Sequence, residues 1–293
     1  MANLKEIRNR ISSVGSTMQI TSAMKMVSAA KLKRAQDAIV QMRPYAVKLK
    51  EILTNLSATL DLSENAFSED RDGGKTLVVG ISSNRGLCGG FNNNVAKKIN
   101  QTITTEFNNS EDVHVMCLGK KIRDIYKRTD RFFTNDFLTE REDVYADLSF
   151  ENVSEVANEL MVLYKTGEFN RIYVVYNRFV NAATQKVEME QFLPIQAPDL
   201  SEDSSSTGDY IFEPSKEEII EDLIPKSLKV QLFKALLDSN AAENGARMTA
   251  MHKATDNASE LQKELKLSYN KARQAAITNE ILEIVGGAEA LNA

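Results

Sequence analysis

Starting at Ile7 and stepping alternately by four and three residues, the chain meets Ile7, Ile11, Val14, Met18, Thr21, Lys25, Ser28, Leu32, Ala35, Ile39, Met42, Ala46, Leu49, Leu53, Leu56 and Leu60, and thirteen of these sixteen are apolar. A repeat of this kind, sustained over so many turns, marks a coiled-coil seam, because it keeps one narrow apolar stripe turned toward a partner helix. The pattern predicts a coiled-coil helix over residues 1–62, a rod of roughly 80 Å at ~1.5 Å per residue. Pro44 falls inside it, deletes one backbone donor and is expected to bend it locally.

A second helical pattern closes the chain. Pro214 precedes Ser215-Lys216-Glu217-Glu218, a capping-box pattern expected to open a short helix, and Pro225 is expected to restart the chain into a helix reaching about Leu291. Its four-three register reads Ala254, Ala258, Leu261, Leu265, Ser268, Ala272 and Ala275, small residues for the most part, which let two helix axes approach closely. Residues 215–293 are thus expected to pack on 1–62. At about 100 Å the helix after Pro225 is the longer of the two, so part of it is expected to project alone.

Between the rods the period shortens. Thr76 to Ser82, Val113 to Leu118 and Ile172 to Tyr176 are short β-rich runs, and Val187 to Leu193 alternates as an edge strand does. Helical stretches near 91–107, 119–128 and 151–166 separate them, which predicts a small α/β sheet domain over residues 74–195. Asn65 to Gly74 and Ala197 to Glu213, rich in Ser, Asp, Glu and Gly, read as its linkers.

Composition narrows the function. No run approaches the ~20 apolar residues of a membrane span, so membrane association is expected only through partners. Two cysteines, Cys88 and Cys117, are too few and too irregular for a disulfide framework or a zinc site, and a reducing, intracellular compartment without a secretory signal is expected. Residues 1–50 hold ten Lys/Arg against Glu6 and Asp37, a local +8 in a chain whose net charge is −5. A basic segment of this kind suits a nucleic-acid arm, a mitochondrial presequence, an anionic membrane surface, an acidic protein partner or simply a solvated helix face.

Candidate chemistry is thin. The loop Ser82-Ser83-Asn84-Arg85-Gly86-Leu87-Cys88-Gly89-Gly90-Phe91-Asn92 lies between a strand and a helix, where phosphate loops often sit, yet it carries neither G-x-G-x-x-G nor a Walker lysine. A tight turn needing flexible glycines is the better reading. Gly80-Ile81-Ser82-Ser83-Asn84 has Asn where a nucleophile elbow needs its second glycine, and His114 and His252 belong to no metal or catalytic cluster. Pairs such as Glu217-Glu218 read as solvated polar faces. Met18 and Met42 fall on the ladder as core fillers, whereas Met24 and Met26 fall off it, where an exposed contact role fits better. No catalytic, cofactor or metal site is expected.

Three segments carry a resemblance. Ile20-Thr21-Ser22-Ala23-Met24-Lys25-Met26-Val27-Ser28-Ala29-Ala30-Lys31, Arg85-Gly86-Leu87-Cys88-Gly89-Gly90-Phe91-Asn92 and Ala246-Arg247-Met248-Thr249-Ala250-Met251 together resemble the signatures of the gamma subunits of rotary F-type ATP synthases, bacterial type. The likeness continues through Ala254 to Ala258 and Tyr269 to Glu280 as far as Ala288. Asn84 stands where the family usually has Asp, Gln19 where a basic residue is common, and Gly15-Ser16 where Gln-Asn is more usual.

The resemblance implies an α+β fold: a long antiparallel coiled coil of the terminal helices with a central Rossmann-like α/β domain. It implies a non-catalytic central rotor stalk that carries proton-driven rotation of a membrane ring to a hexamer of catalytic and non-catalytic nucleotide-binding subunits. The epsilon subunit and the proton ring would be its other partners, with no cofactor and no nucleic acid, at the cytoplasmic face of the bacterial inner membrane as a peripheral protein. By the same resemblance Arg273, Gln274, Thr278 and Glu280 would contact loops of the catalytic subunits, Met24 and Lys25 would face their acidic segments, and Arg85 and Cys88 would join the partner contacts. Ile281, Leu282, Ile284, Val285 and Leu291 would form an apolar tip seated in the hexamer. A non-rotary coiled-coil scaffold and a nucleotide-binding α/β enzyme are the competing classes; the first has no need of a tip that outruns its partner helix, and the second requires a ligand at the glycine loop.

Overall fold

The computed structural model describes residues 4–57, 66–69, 71, 73–108, 111–140, 144, 145, 147–195 and 216–292. The order of elements is α1 (Leu4–Ser57), β1 (Thr76–Ile81), α2 (Phe91–Thr105), β2 (Val113–Leu118), α3 (Lys120–Tyr126), β3 (Phe132–Phe133), α4 (Asp136–Glu140), α5 (Phe150–Lys165), β4 (Arg171–Phe179), β5 (Gln185–Leu193) and α6 (Lys216–Asn292). Leu60, the side chains of Leu53, Leu56 and Leu291, the linker 197–213 and the expected start at Pro214-Ser215 lie outside the described residues. The chain divides into two compact units, Met1–Ser28 with Met248–Ala293, and Ala29–Arg247.

The larger unit is built on a five-stranded sheet ordered β3-β2-β1-β4-β5. β1 pairs in parallel with β2 and β4, β2 in parallel with β3, and β5 closes the sheet as an antiparallel edge. Strands covered on both faces read as continuous apolar runs, and the alternation resolves here into two cores. Leu77, Val79 and Ile81 of β1 and Ile172, Val174 and Tyr176 of β4 turn toward α5 and toward Ile224, Leu228, Leu232 and Leu236 of α6. Val78, Val115, Cys117 and Val175 turn the other way, onto Val95, Ile99 and Ile103 of α2 and Ile122 and Tyr126 of α3. The sheet therefore does not stand apart from the terminal helices: residues of α6 complete one of its two cores and belong to its unit. Phe67, in the stretch read as a linker, is also buried in that core, and Arg71 Nη1 donates to the Tyr164 carbonyl at 3.0 Å.

Two short elements escape the periodicity. β3 is only two residues long and is held by pairing with Val115 and Met116 of β2. α4 is a single turn whose Leu138 N–H donates to Asn135 Oδ1 at 2.8 Å. Pro225, expected to restart the chain, sits inside the continuous helix α6 instead. Its missing donor costs one bond near the helix start, and burial of the adjacent Ile224 and Leu228 holds the turn in place.

The smaller unit is an antiparallel helix pair. Every position of the α1 ladder in this unit, from Ile7 to Ser28, is buried or half-buried, including its polar members, and the positions from Leu32 to Leu49, which belong to the larger unit, are covered as well. Thr21 Oγ1 bonds Thr255 Oγ1 at 2.8 Å and the Met18 carbonyl at 3.1 Å, while Ser28 Oγ donates to the Met24 carbonyl at 2.8 Å. On α6 the covered positions from Met251 onward are Met251, Ala254, Thr255, Ala258, Ser259, Gln262, Leu265, Tyr269, Ala272 and Ala276. The small-residue register shares Ala254, Ala258, Leu265 and Ala272 with the covered positions; Leu261, Ser268 and Ala275 are exposed. Polar partners explain the shift. Arg8 Nη2 donates to Tyr269 Oη at 2.8 Å, and a Cβ on Gly15 would lie 2.9 Å from Gln262 Nε2. Gly15, unusual for the resembled family, thus leaves room for a glutamine in the seam.

Gly80 lies in the middle of β1, where a Cβ would meet Ile122 Cδ1 at 2.6 Å and Ile99 Cδ1 at 2.8 Å. Gly80→Val is expected to push α2 and α3 off the sheet and to cost about 1–3 kcal/mol by overpacking, read as a lower denaturant midpoint at unchanged slope. A midpoint equal to that of the parent chain would contradict this packing.

Candidate functional site

The strand order reverses at β1, with β2 and β3 to one side and β4 and β5 to the other. In doubly wound sheets the crevice at the carboxyl ends of the strands flanking such a reversal is where ligands bind. Here it is formed by the loop Ser82–Gly90 after β1 and the hairpin turn Asn181–Thr184 after β4.

The loop spends its polar groups inside the chain. Asn84 Oδ1 accepts from Lys120 N at 3.0 Å, the Ser83 carbonyl from Lys121 N at 3.1 Å and Ser82 Oγ from Ile122 N at 3.0 Å. The first three N–H groups of α3, which an anion would otherwise use, are therefore capped by the loop. Gly119, at φ +110, makes that approach possible, since a Cβ there would sit 2.2 Å from the Ser82 carbonyl oxygen. Asn92, in the first turn of α2, accepts from Ser83 N at 2.9 Å through Oδ1 and donates through Nδ2 to Ser83 Oγ at 2.9 Å and Cys88 Sγ at 3.2 Å.

The crevice itself is filled by α6. Cys88, Phe91, Ala242 and Ala246 form a buried cluster with Phe179 packed against it. A Cβ on Gly245 would lie 3.3 Å from the Cα and carbonyl oxygen of Ala182, so helix and hairpin meet almost backbone to backbone. Arg247 closes the arrangement: Nη1 pairs with Glu243 Oε1 at 2.6 Å, and Nη2 donates to the carbonyls of Arg85 at 3.1 Å and Gly86 at 3.4 Å. Burial pushes the Glu243 carboxyl above its usual range, and the Arg247 guanidinium opposes that rise.

Neither serine of the loop has a histidine to activate it, and among the described residues no three His, Cys, Asp or Glu side chains are grouped to hold a metal. Burial drives the Cys117 thiol up to about 12, leaving it a core residue. Cys88, grouped with the partner contacts on the sequence, lies inside the chain's own cluster at 1% exposure, so its thiol faces α6. Arg85 is exposed, and beside it Leu87 is 64% exposed at φ +63, a strained leucine at the loop tip.

The remaining sequence-selected residues lie on the helix pair. Met24 and Lys25 are half-buried, and Met26 is exposed. Arg273, Gln274, Thr278 and Glu280 are exposed, with Thr278 Oγ1 donating to the Gln274 carbonyl at 2.9 Å. From Ile277 to Ala288 every residue is exposed, and Ile281, Leu282, Ile284 and Val285 present apolar side chains to solvent. Arg247, Gly245 and Glu243 received no role on the sequence; the small pairs Ala241-Ala242 and Gly245-Ala246 were the available sign of a close helix contact.

Asp238 sits one turn before the crevice and is buried. Desolvation raises its carboxyl above the ordinary 3.8; Lys234 and Arg178 oppose the rise, while Glu190 and Glu188 add to it. The folded chain thus holds this proton to higher pH than the unfolded chain, and its contribution to stability declines as pH rises from 3.8 through the raised value. Asp238→Asn is expected to gain stability over the parent at pH 8 and to match it at low pH, as followed by urea unfolding across a pH series. A parent chain that gains on the variant with rising pH would reverse the assignment. Because α6 fills the crevice, calorimetry with ATP is expected to give no binding heat; micromolar binding abolished by Arg85→Ala would contradict it.

Together these features define an α+β protein in which a doubly wound sheet gives its ligand crevice to its own C-terminal helix, and in which that helix also pairs antiparallel with the N-terminal one. A family model described as ATP synthase matches residues 3–291. The chain is 61% identical over 293 residues to the ATP synthase gamma chain of Flavobacterium johnsoniae, covering all of both, and 52% identical over 298 residues to that of Cytophaga hutchinsonii, again covering all of both. The chain belongs to the ATP synthase gamma-chain family. Its fold is shared with a chain of the Euglena gracilis mitochondrial ATP synthase OSCP/F1/c-ring assembly, at TM-score 0.65 and 21% identity over 98% of this chain and 94% of that one. A chain of the Tetrahymena thermophila central stalk and c-ring gives 0.56 at 21% identity over 80% and 99%.

Proposed function

We infer that this chain is the central rotor stalk of an F-type ATP synthase, a non-catalytic subunit that carries rotation of the membrane ring to the catalytic hexamer and the reverse during hydrolysis. The observation that carries this reading is the end of α6: among the described residues it runs on past Ala276 with every residue to Ala288 exposed, its apolar side chains included. Full burial of Ile281, Leu282, Ile284 and Val285 is worth roughly 1.5–3 kcal/mol each, so a collar of partner subunits is a strong sink for this surface. A scaffold would bury such a stripe within its own pair.

Rotation then acts through asymmetry. A shaft that presents a different face to each catalytic subunit shifts the populations of their open and closed states in turn, which drives ATP release. Arg273, Gln274, Thr278 and Glu280 are the polar groups offered to the catalytic subunits beside the tip, Met24 and Lys25 face their acidic segments, and Arg85 is a separate partner contact. The epsilon subunit and the proton ring are the partners at the other end. No described helix is long and apolar enough to cross a membrane, so attachment to the cytoplasmic face of the bacterial inner membrane passes through these partners.

The reading is tested by purifying the chain from membranes with whatever accompanies it, and by amide exchange of residues 277–288. The hexamer and ring subunits are expected as partners, with exchange at the tip fast in the free subunit and slow in the complex. Equal protection in both states would favour the scaffold.

A further inference from the structure

The larger unit contains two kinds of contact between α6 and the sheet, and they resist different motions. The apolar layer of Ile224, Leu228, Leu232 and Leu236 opposes separation of the helix from the sheet but has little directionality, because hydrophobic contact is non-directional. The crevice contacts are directional. Turning α6 about its own axis would break the Arg247 bonds to the Arg85 and Gly86 carbonyls and drive the backbone at Gly245 against Ala182. Resting on the rotor-stalk reading, we propose that the strand-end crevice is the clamp through which the sheet domain turns α6, with Arg247 as its pin.

The pin is preorganised at both ends. Glu243, four residues back on the same helix face, holds Nη1, which leaves Nη2 aimed at the loop, and the two side chains are only 12% and 13% exposed. The Arg85 carbonyl is fixed in turn by Ser83 Oγ at 2.7 Å, and Ser83 is tied to the start of α3 and to Asn92 of α2. A continuous chain of hydrogen bonds thus runs from the helices flanking β1 and β2, through the loop, to a guanidinium on the helix that continues to the apolar tip. Arg247 acts as a positioning residue: it touches no nucleotide and sets the angle between sheet and helix.

The test compares Arg247→Met, which removes the pin, Arg247→Lys, which keeps a cation for Glu243 but loses the fork onto two carbonyls, and Gly245→Val, which wedges the hairpin away. In the full isolated chain, amide exchange over residues 85–90 is expected to quicken about tenfold or more in Arg247→Met, as loss of a charge-assisted bond predicts, and less in Arg247→Lys. In the complex reconstituted into vesicles, Arg247→Met and Gly245→Val are expected to keep ATP hydrolysis within about twofold while protons pumped per ATP fall about threefold or more. A merely structural role would lower incorporation and both activities together, which subunit stoichiometry and circular dichroism would reveal. Unchanged exchange in Arg247→Met overturns the clamp; quickened exchange with unchanged pumping per ATP overturns its role in turning the helix. A parent chain that does not join the hexamer overturns the rotor reading and this role with it, while the exchange result still decides the attachment.

Discussion

The crevice at the carboxyl ends of β1 and β4 admits α6 because that helix presents Ala242, Gly245 and Ala246 there and almost nothing larger. Close approach brings Arg247 within reach of two loop carbonyls, lets Phe91 and Phe179 close over the contact and seals Cys88 from solvent. A side chain at Gly245 would hold the helix away from the hairpin, and the hydrogen bonds beyond it would then lack geometry. The same contact decides what the sheet can do: with α6 in the crevice and the N–H groups of α3 capped by the loop, a fold that elsewhere cradles phosphates has become a mount for a helix.

One helix therefore answers to four environments along its length. Ile224 to Leu236 form a layer of the sheet's core, Ala242 to Arg247 fill the crevice, Met251 to Ala276 form a coiled-coil seam, and Ile277 to Ala288 meet solvent. Each environment requires a different set of side chains on the inward face, so averaged over all of α6 the amphipathic pattern cancels even though every local stretch is patterned. α1 is also divided between the two units, yet a single four-three ladder describes its covered positions from Ile7 to Leu49.

That contrast explains how much could be read from the sequence. The α1 seam, the four principal strands and α2, α3 and α5 follow from periodicity, since each faces one environment for long enough to repeat. β3 and α4 are too short to show a period and exist because Val115 and Asn135 supply their bonds. Pro225 misled because proline rules weigh a single lost bond and not the buried neighbours that hold the turn. The burial of Cys88 is illegible for a related reason: a cysteine in a glycine-rich loop carries no local sign of the helix, distant in sequence, that covers it. The exposed end of α6 follows from the greater length of that helix, whereas the partner roles of Arg273 to Val285 rest on the resemblance alone, because exposure on a helix end leaves no mark on local pattern.

The register on α6 departs from the small-residue expectation at Leu261, Ser268 and Ala275, because the steric criterion behind it is sound and the energetic one is missing. Small residues at Ser268 and Ala275 would let the axes approach, but a dry seam of alanines buries little area and slides with little resistance. The observed seam spends its central positions on Thr255, Gln262 and Tyr269, each answered across the pair by Thr21, Gly15 or Arg8. A one-turn slip would break the bond between Thr21 and Thr255, leaving each hydroxyl only a carbonyl of its own helix, and would separate Arg8 from Tyr269, so the polar contacts favour one register where apolar packing alone would permit several. For a pair of helices that must hold alignment under torque, specificity of register matters more than depth of burial, and polar seam residues supply it at some cost in stability.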